Sequence, residues 1–411
     1  MSKKIREYTF FKYIGPGILV TVGFIDPGNW ASNLAAGSFF GYSLLWVVSV
    51  STLMLILLQH NVAHLGIATG HCLAENAFLH IKPRYSQPLL ITALMASIST
   101  SLAEILGGAI ALNMLLSIPL QLGVLVMLIS VCFITFFTNY QKLEKFIISF
   151  VSIIGFCFFY ETTLINIEWL AVAKSSVVIS IPEGSILIIV SILGAVVMPH
   201  NLFLHSEIIQ TKDWFNKQPE LKNKLLKYEF LDTLFSMILG WAINCIIIIL
   251  AAEVFFKNNI QVSELSQASD LLKPILGNKA ALIFAVSLLC AGFASSITAG
   301  ISGGIIFSAI FKKEYNEKSI YTKLGIFITL VASCIVILFI ENPLQGLIYS
   351  QMFLSMQLPF TIGLQIYLTS SKKVMGKDAN SLLTNILLIS CGVFVSTLNI
   401  ILLYTMFKDG W

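Results

Sequence analysis

Long apolar runs recur along this chain and constrain its fold more than any other feature. We identify eleven runs of about 20 or more mostly apolar residues, the length that a helix needs to cross a bilayer. The runs span 12–39, 43–66, 88–113, 119–138, 144–162, 185–209, 230–254, 279–310, 322–340, 345–369 and 381–407. The loops between them are too short for a soluble domain. The sequence therefore predicts an all-α polytopic membrane protein, with one transmembrane domain over residues 1–411 and eleven transmembrane helices.

The composition excludes several classes of protein. Of the 411 residues, 57% are hydrophobic and only 11% are charged, against about 25% charged in an average soluble domain. The mean hydropathy is +0.87. A soluble enzyme, a disordered chain and a nucleic-acid binder are therefore excluded. The sequence has no GxxxxGK[ST] motif and no nucleophile or metal triad, so we expect neither ATP hydrolysis nor a membrane-embedded enzyme.

The placement of basic residues supports the count of eleven helices. With a cytoplasmic N-terminus and alternating sides, 20 of the 25 lysine and arginine residues fall in cytoplasmic segments. The other five are Lys174, Lys257, Lys273, Lys279 and Lys408. This bias follows the positive-inside rule. We expect a multi-pass plasma-membrane protein with its N-terminus in the cytoplasm and its C-terminus outside, in contact with lipid and acting as a monomer.

Most of the 21 acidic residues lie in loops or near helix ends, whereas Asp26 and Glu104 lie deep inside apolar runs, where a carboxylate needs a partner, a cavity or a cation. Asp26 precedes Pro27, Gly28 and Asn29 in the first run. Pro27 lacks an N–H and Gly28 permits unusual backbone angles, so the helix should break here. Asp26, Asn29 and carbonyls freed by the break could then hold a cation. The partners of the Glu104 carboxyl group could be the hydroxyls of neighbouring Ser and Thr residues.

A second break is expected in the sixth run, at GAVVMPHN, residues 194–201. Pro199 frees the carbonyl of Ala195, four residues earlier. Met198 offers a thioether beside this break, which makes it a candidate ligand rather than a packing residue. His200 could pass a proton, act in gating, or only hydrogen-bond the unwound backbone.

The two breaks lie five helices apart, and this spacing predicts an internal repeat. An odd number of helices inverts the second unit in the membrane, and broken helices at matching positions mark a transport site near the midplane. We therefore expect two inverted five-helix repeats, residues 1–162 and 185–370, with an additional helix over 381–407.

The candidate ligands favour a transition metal. A carboxylate, an amide oxygen and a carbonyl suit a divalent cation, and the Met198 thioether favours Mn²⁺ or Fe²⁺ over Mg²⁺ and Ca²⁺. Secondary-active uptake of such ions is the predicted function. A Mg²⁺-selective or broad divalent-cation transporter is the nearest alternative, followed by a Na⁺-coupled symporter of organic substrates.

Several stretches resemble the Nramp family of divalent metal ion transporters. They include GFIDPGNWASNLAAG in the first run, SLAEILGGAIALN in the third, GAVVMPHNLFLHS in the sixth and SQMFLSMQLPF in the tenth. The resemblance implies a LeuT-like fold, no permanent cofactor, and transport of Mn²⁺ or Fe²⁺ with protons. It assigns the metal ligands to Asp26, Asn29, the Ala195 carbonyl and Met198.

The resemblance also implies roles for residues outside the two breaks. Gln351 matches a tenth-helix glutamine that helps to hold the metal. Glu104 and His200 match residues near the proton route, and Asp232 matches a seventh-helix aspartate.

Three departures from the family pattern concern the proton pathway. Ser101 stands where an aspartate is usual, three residues before Glu104. Phe293 replaces a glutamine in the eighth helix, and Phe327 stands where the ninth helix carries a basic residue, which leaves only Lys323 there. We therefore expect proton coupling that is weak, altered or absent.

The cysteines, and the histidines other than His200, carry no predicted site. The seven cysteines are scattered without a CxxC, and all except Cys72 lie in apolar runs, so neither a disulfide framework nor a zinc site is expected. His60 and His64 lie on one helix face without the Glu of a zinc-protease motif. We interpret them, like His71, His80 and His205, as interfacial residues.

Overall fold

The computed structural model describes residues 16–137, 140–163, 165–212, 214–215, 217–262, 265 and 278–409, and all regular structure within these ranges is helical. The helices are α1 (Pro16–Thr21), α2 (Pro27–Phe40), α3 (Leu45–Thr69), α4 (Leu73–His80), α5 (Pro83–Leu116), α6 (Leu120–Phe137), α7 (Tyr140–Thr162), α8 (Trp169–Ser175), α9 (Ile186–Val196), α10 (Pro199–Ile208), α11 (Pro219–Val254), α12 (Asn278–Ile310), α13 (Ile320–Ile337), α14 (Pro343–Thr369), α15 (Lys372–Met375) and α16 (Leu382–Asp409). Residues 12–15 of the first predicted run and residue 138 of the fourth lie outside the described ranges.

Eight helical spans in the described residues are long and apolar enough to cross a membrane. They are Leu45–Thr69, Pro83–Leu116, Leu120–Phe137, Ile186–Lys212, Leu221–Asn258, Ala281–Ile310, Ile320–Ile337 and Leu382–Lys408. Each corresponds to one predicted run. The first, fifth and tenth runs correspond to α1 with α2, to α7 and to α14. The multi-pass architecture is thus observed, and the count of eleven crossings stays a prediction.

The interrupted helices lie at the centre of the molecule. In the span formed by α9 and α10, 89% of the most apolar 18-residue stretch is buried inside the protein. The corresponding share is only 22% in α6 and 33% in α16. The peripheral helices therefore present apolar side chains outward, as lipid contact requires. The polar residues of the central helices are enclosed by protein.

Glycines allow the central helices to approach closely. A Cβ atom built on Gly194 of α9 would overlap the carbonyl oxygen of Gln351 in α14 and would lie 2.7 Å from the Ser355 nitrogen. In the same way, a Cβ atom on Gly107 of α5 would overlap the Pro27 ring at the start of α2. These contacts fix α14 and α5 against the two interruptions.

Replacing Gly194 by Ala should lower the free energy of unfolding by about 1–3 kcal/mol, because α9 and α14 would have to separate. Gly363 is the matched control, since a Cβ atom there meets nothing within 4 Å and Ala is favoured over Gly inside helices by ~0.5–1 kcal/mol. Unfolding of purified protein in mixed detergent micelles, followed by tryptophan fluorescence, measures both variants. Equal stability of Gly194→Ala and wild type would show that the helices have room to adjust.

Candidate metal transport site

The first interruption lies at Asp26. A 3₁₀ turn over Val22–Ile25 extends α1, Asp26 is extended (φ −72°, ψ 164°), and α2 begins at Pro27. Proline is well suited to the first position of a helix because its missing N–H is not needed there. The Asp26 carboxylate caps α2 by accepting a hydrogen bond from the Asn29 backbone N–H, with Oδ1 2.9 Å from N. The sequence thus places a carboxylate at a helix N-terminus inside the molecule.

The second interruption lies at Val197 and Met198. Both residues have non-helical backbone angles (φ −101°, ψ 65° and φ −67°, ψ 120°), and α10 begins at Pro199. Because Pro199 has no N–H, the Ala195 carbonyl receives no helical hydrogen bond from it. That carbonyl instead accepts a hydrogen bond from Asn29 Nδ2 at 2.8 Å.

Asn29 joins the two interruptions. Its Nδ2 atom lies 2.6 Å from Asp26 Oδ1 as well as 2.8 Å from the Ala195 oxygen. All three residues are fully buried. Asp26 Oδ2 and Asn29 Oδ1 have no hydrogen-bond partner among the described residues. Buried oxygens without a partner are rare in folded proteins, so these two atoms mark a place for a ligand.

The Met198 side chain is also fully buried. Asn201 of α10 donates from Nδ2 toward Met198 Sδ at 3.6 Å, and within the described chain its Oδ1 atom has no partner. A Cβ atom on Gly23 would overlap Asn201 Nδ2, so the 3₁₀ turn before Asp26 packs directly on the start of α10. The thioether therefore belongs to the same enclosed region as Asp26.

Gln351 of α14 reaches the first interruption. Its Nε2 atom donates to Ser350 Oγ at 3.2 Å and occupies the space where a Cβ atom of Gly28 would lie. Any larger residue at position 28 would displace this side chain. Gln351 Oε1 is buried and has no partner in the described part of the chain.

Together these groups offer a mixed ligand set. Oxygen donors are available from Asp26, Asn29, Gln351 and the Ala195 carbonyl, and Met198 adds a sulfur. Such a set suits a divalent cation of intermediate softness better than Mg²⁺ or Ca²⁺, which prefer oxygen alone. The carboxylate supplies the negative charge that offsets the cost of removing the cation from water.

Glu104 and His200 are both fully buried. Glu104 Oε1 accepts a hydrogen bond from Thr100 at 3.3 Å, as the hydrogen-bonded interpretation requires, while its Oε2 has no partner within the described ranges. Neither ring nitrogen of His200 has a partner there either. The His200 backbone carbonyl accepts a hydrogen bond from Ser302 Oγ at 2.8 Å. Both side chains thus keep unused proton-binding atoms.

The positions that depart from the family pattern form no charged network in the described residues. Ser101 bonds Ser333 through their hydroxyls at 3.1 Å. Phe293 packs against the core, and Phe327 is 49% exposed on α13. Lys323 is exposed on the same helix and forms no ion pair there. The structure does not bring Lys323 to Glu104.

Asp232 has a different position from the other predicted site residues. It is buried in α11, and its Oδ2 atom accepts a hydrogen bond from the Gly17 backbone N–H at 2.8 Å. This bond caps the start of α1, whose first N–H groups have no partner within their own helix. Asp232 therefore holds the first interrupted helix against α11.

The buried network around Glu229 was not predicted from the sequence. Glu229, near the start of α11, is 2% exposed and bonds His60 and Thr233, the latter at 2.7 Å. His205 lies 3.9 Å from the same carboxylate and 2.9 Å from Gln59. We expected His205 to be interfacial, but its side chain is fully buried. His60, His205 and Glu229 lie on three different helices, so no motif along the sequence indicates that they meet.

Comparison with known proteins decides the family. The sequence pattern described as natural resistance-associated macrophage protein-like, Nramp, matches residues 17–405. The chain belongs to the Nramp family. One Nramp relative, the divalent metal cation transporter MntH of Brucella suis biovar 1, is 37% identical over 423 residues, which cover 100% of this chain and 91% of the relative. Proteins of the family are transporters and not enzymes.

Solved structures agree with this assignment. The Eremococcus coleocola manganese transporter, in complex with an aromatic bis-isothiourea compound, has a TM-score of 0.84 and 27% identity, and the match covers 96% of this chain and 87% of that one. Mhp1, a nucleobase-cation-symport-1 family transporter, has a TM-score of 0.65 at 14% identity, with 96% and 93% covered. The second likeness concerns the fold alone. The Nramp chain therefore has the fold shared by Nramp and LeuT-fold transporters.

Proposed function

We propose that this Nramp chain imports divalent transition-metal ions, Mn²⁺ and Fe²⁺ among them, across the plasma membrane by secondary-active alternating access. The observation that carries the proposal is the meeting of the two helix interruptions at Asp26, Asn29 and the Ala195 carbonyl. The metal names of its relatives, a divalent metal cation transporter and a manganese transporter, support the same substrate class.

The proposed binding site consists of Asp26, Asn29, the Ala195 carbonyl and Met198, with Gln351 as a further ligand. The unpartnered oxygens of Asp26, Asn29 and Gln351 support this assignment. Met198 argues against a Mg²⁺-selective carrier because a thioether contributes little to binding a hard cation. A Na⁺-coupled symporter of organic substrates would need no sulfur beside the second interruption.

The proposed transport cycle follows from the two interrupted helices. We infer two inverted repeats, residues 1–162 and 185–370, that move relative to each other around the site, with residues 381–407 as an additional helix. The N-terminus is cytoplasmic and the C-terminus extracytoplasmic in this proposal. The monomer is the transporting unit in this proposal, and uptake requires no ATP.

Uptake into proteoliposomes tests the proposed substrate. Full-length protein should accumulate Mn²⁺ above protein-free liposomes, and excess Fe²⁺ should compete whereas excess Ca²⁺ or Mg²⁺ should not. Competition by Mg²⁺ equal to that by Fe²⁺ would favour the broad divalent-cation alternative. Absence of any metal uptake, with uptake of an organic substrate driven by Na⁺, would overturn the proposal.

Proton coupling is proposed to be weak, altered or absent, because Ser101, Phe293 and Phe327 provide no ionisable side chains for a proton route. We expect Mn²⁺ uptake to cause little internal acidification, and Glu104→Gln to leave acidification at the same low level. A pH-sensitive dye inside the proteoliposomes measures this together with Mn²⁺ uptake. Strong metal-driven acidification that is lost in Glu104→Gln would establish coupling through Glu104 instead.

A further inference from the structure

A second group of potential metal ligands lies away from the interruptions. One ligand atom from each of Cys72, Glu75 and Glu207 lies within 4.8 Å of the other two. Cys72 and Glu75 belong to the start of α4, and Glu207 to the last turn of α10. In the predicted topology this group is at the cytoplasmic end of α10, whereas Met198 is at the other end.

The start of α4 orients two of the three side chains. Cys72 Sγ accepts a hydrogen bond from the Glu75 N–H at 3.5 Å, and Glu75 Oε2 accepts one from the Cys72 N–H at 3.1 Å. This reciprocal capping box fixes the sulfur and the carboxylate relative to each other. Cys72 is fully buried and Glu75 is 6% exposed. The two ligand atoms are thus held in place before any cation binds.

Glu207 supplies the unsatisfied group. Its Oε2 atom is buried and has no hydrogen-bond partner among the described residues. Glu75 is better satisfied, since its Oε1 accepts from the Tyr315 N–H at 3.0 Å and its Oε2 lies 3.5 Å from His71 Nδ1. Within the described ranges neither glutamate forms an ion pair with lysine or arginine. A bound cation would offset the cost of leaving Glu207 Oε2 buried without a partner.

This group is separate from the transport site. Glu207 lies nine positions after Met198, which is about 13.5 Å along the axis at the usual helical rise. A hydrogen bond that does not involve Asp26 joins the two helices of this group, since the Leu73 N–H of α4 donates to Ser206 Oγ of α10 at 2.9 Å. A cation bound here would therefore connect α10 to α4 rather than join the two interruptions.

We propose that Cys72, Glu75 and Glu207 form a second metal site, which binds a thiophilic divalent cation such as Zn²⁺ or Cd²⁺ and ties α10 to α4. One thiolate with two carboxylates suits these ions, and three protein ligands leave a fourth position for water. On binding, the Cys72 thiol gives its proton to solvent and its sulfur bonds the metal, so no redox partner is needed. Mg²⁺ and Ca²⁺ would not accept the thiolate.

A Cd²⁺ titration of the full-length protein in detergent micelles tests the proposal. The ultraviolet charge-transfer absorption of a cadmium–thiolate bond should rise to saturation in the wild type and be lost in Cys72→Ser. Serine is itself a favoured N-cap residue, so α4 should keep its start in this variant. Glu207→Gln keeps the side-chain shape and should weaken Cd²⁺ binding roughly tenfold or more.

Two control variants separate this site from others. Cys391→Ser removes a cysteine of α16 and should leave the absorption unchanged. Met198→Ala should also leave it unchanged, because the transport site offers a thioether and no thiolate. Zn²⁺ should raise the thermal unfolding temperature of the wild type more than that of Cys72→Ser or Glu207→Gln.

Either of two results would overturn the proposal. One is a cadmium–thiolate band of full size in Cys72→Ser, and the other is equal Zn²⁺ stabilisation of the wild type and both variants. These measurements require no transport, so a failed uptake experiment would leave their outcome unaffected.

Discussion

Replacing Asp26 by Asn should reduce Mn²⁺ uptake to the level of protein-free liposomes and weaken Mn²⁺ binding roughly 100-fold or more. The variant keeps the shape of the side chain but removes the only carboxylate among the proposed ligands. Loss of one partner from a buried charge pair typically costs about 3–5 kcal/mol, which corresponds to this change in affinity. Asparagine is a good N-cap residue, so α2 should still begin at Pro27.

Calorimetric Mn²⁺ titration and proteoliposome uptake together measure this effect. Asp378→Asn is the matched control, since Asp378 lies in a short 3₁₀ turn after α15 and should leave both quantities unchanged. Uptake by Asp26→Asn at the wild-type rate would mean that the carboxylate is not a ligand, and the proposed site would have to be abandoned.

Met198→Ala should preserve Mn²⁺ uptake but admit Ca²⁺ or Mg²⁺ as competitors. The oxygen ligands remain and can hold any divalent cation, while the sulfur that favours softer ions is removed. We expect the ratio of Mn²⁺ to Ca²⁺ affinity to fall by about an order of magnitude, equivalent to ~1.4 kcal/mol. Inhibition of Mn²⁺ uptake by increasing Ca²⁺ measures this ratio directly.

Met237→Ala provides the comparison for this second experiment. Met237 is fully buried in α11 and belongs to the apolar core, so its truncation removes a thioether of equal size elsewhere. It should reduce stability without changing the competition by Ca²⁺. If the ratio of Mn²⁺ to Ca²⁺ affinity is the same in Met198→Ala and Met237→Ala, Met198 has a packing role only.

The helix interruptions could be predicted from the sequence because their causes are local. Pro27 and Pro199 cannot donate the backbone hydrogen bond that a continuous helix needs, and each stands beside polar residues within an apolar run. The inference that Asp26 belongs with Ala195 required only the matching positions of the two motifs. The hydrogen bonds of Asn29 to both residues agree with it.

The remaining polar clusters could not be predicted, because their members are distant along the chain and carry no shared motif. Glu229 lies 169 residues from His60. Likewise, Cys72 and Glu75 meet Glu207 only through the packing of α4 against α10. Unlike the other six cysteines, Cys72 lies outside the apolar runs, and this position is a weak indication of a different role.

Helix α14 corresponds to the tenth predicted run but is not among the eight spans that are apolar enough to cross a membrane. It has 27 residues, but several buried polar side chains lower its average hydropathy, among them Gln351, Gln357 and Gln365. These side chains face other helices, where hydrogen bonds replace water. For example, Gln365 Nε2 donates to the Leu58 carbonyl at 3.0 Å. The sequence nevertheless predicts this run from its apolar residues, and the resemblance to the Nramp family extends to it through SQMFLSMQLPF.

The N-terminus of α2 has a consequence for the carrier without its cargo. A helix N-terminus bears a partial positive charge, and the Asn29 N–H of α2 points at Asp26 Oδ1. The backbone thus solvates the carboxylate partly, whether or not a cation is bound. In the proposed cycle, the empty protein must close and reopen on the other side. Fixed amide dipoles reduce the electrostatic barrier to that return step, because they stabilise the charged form of the carboxylate when no cation is bound.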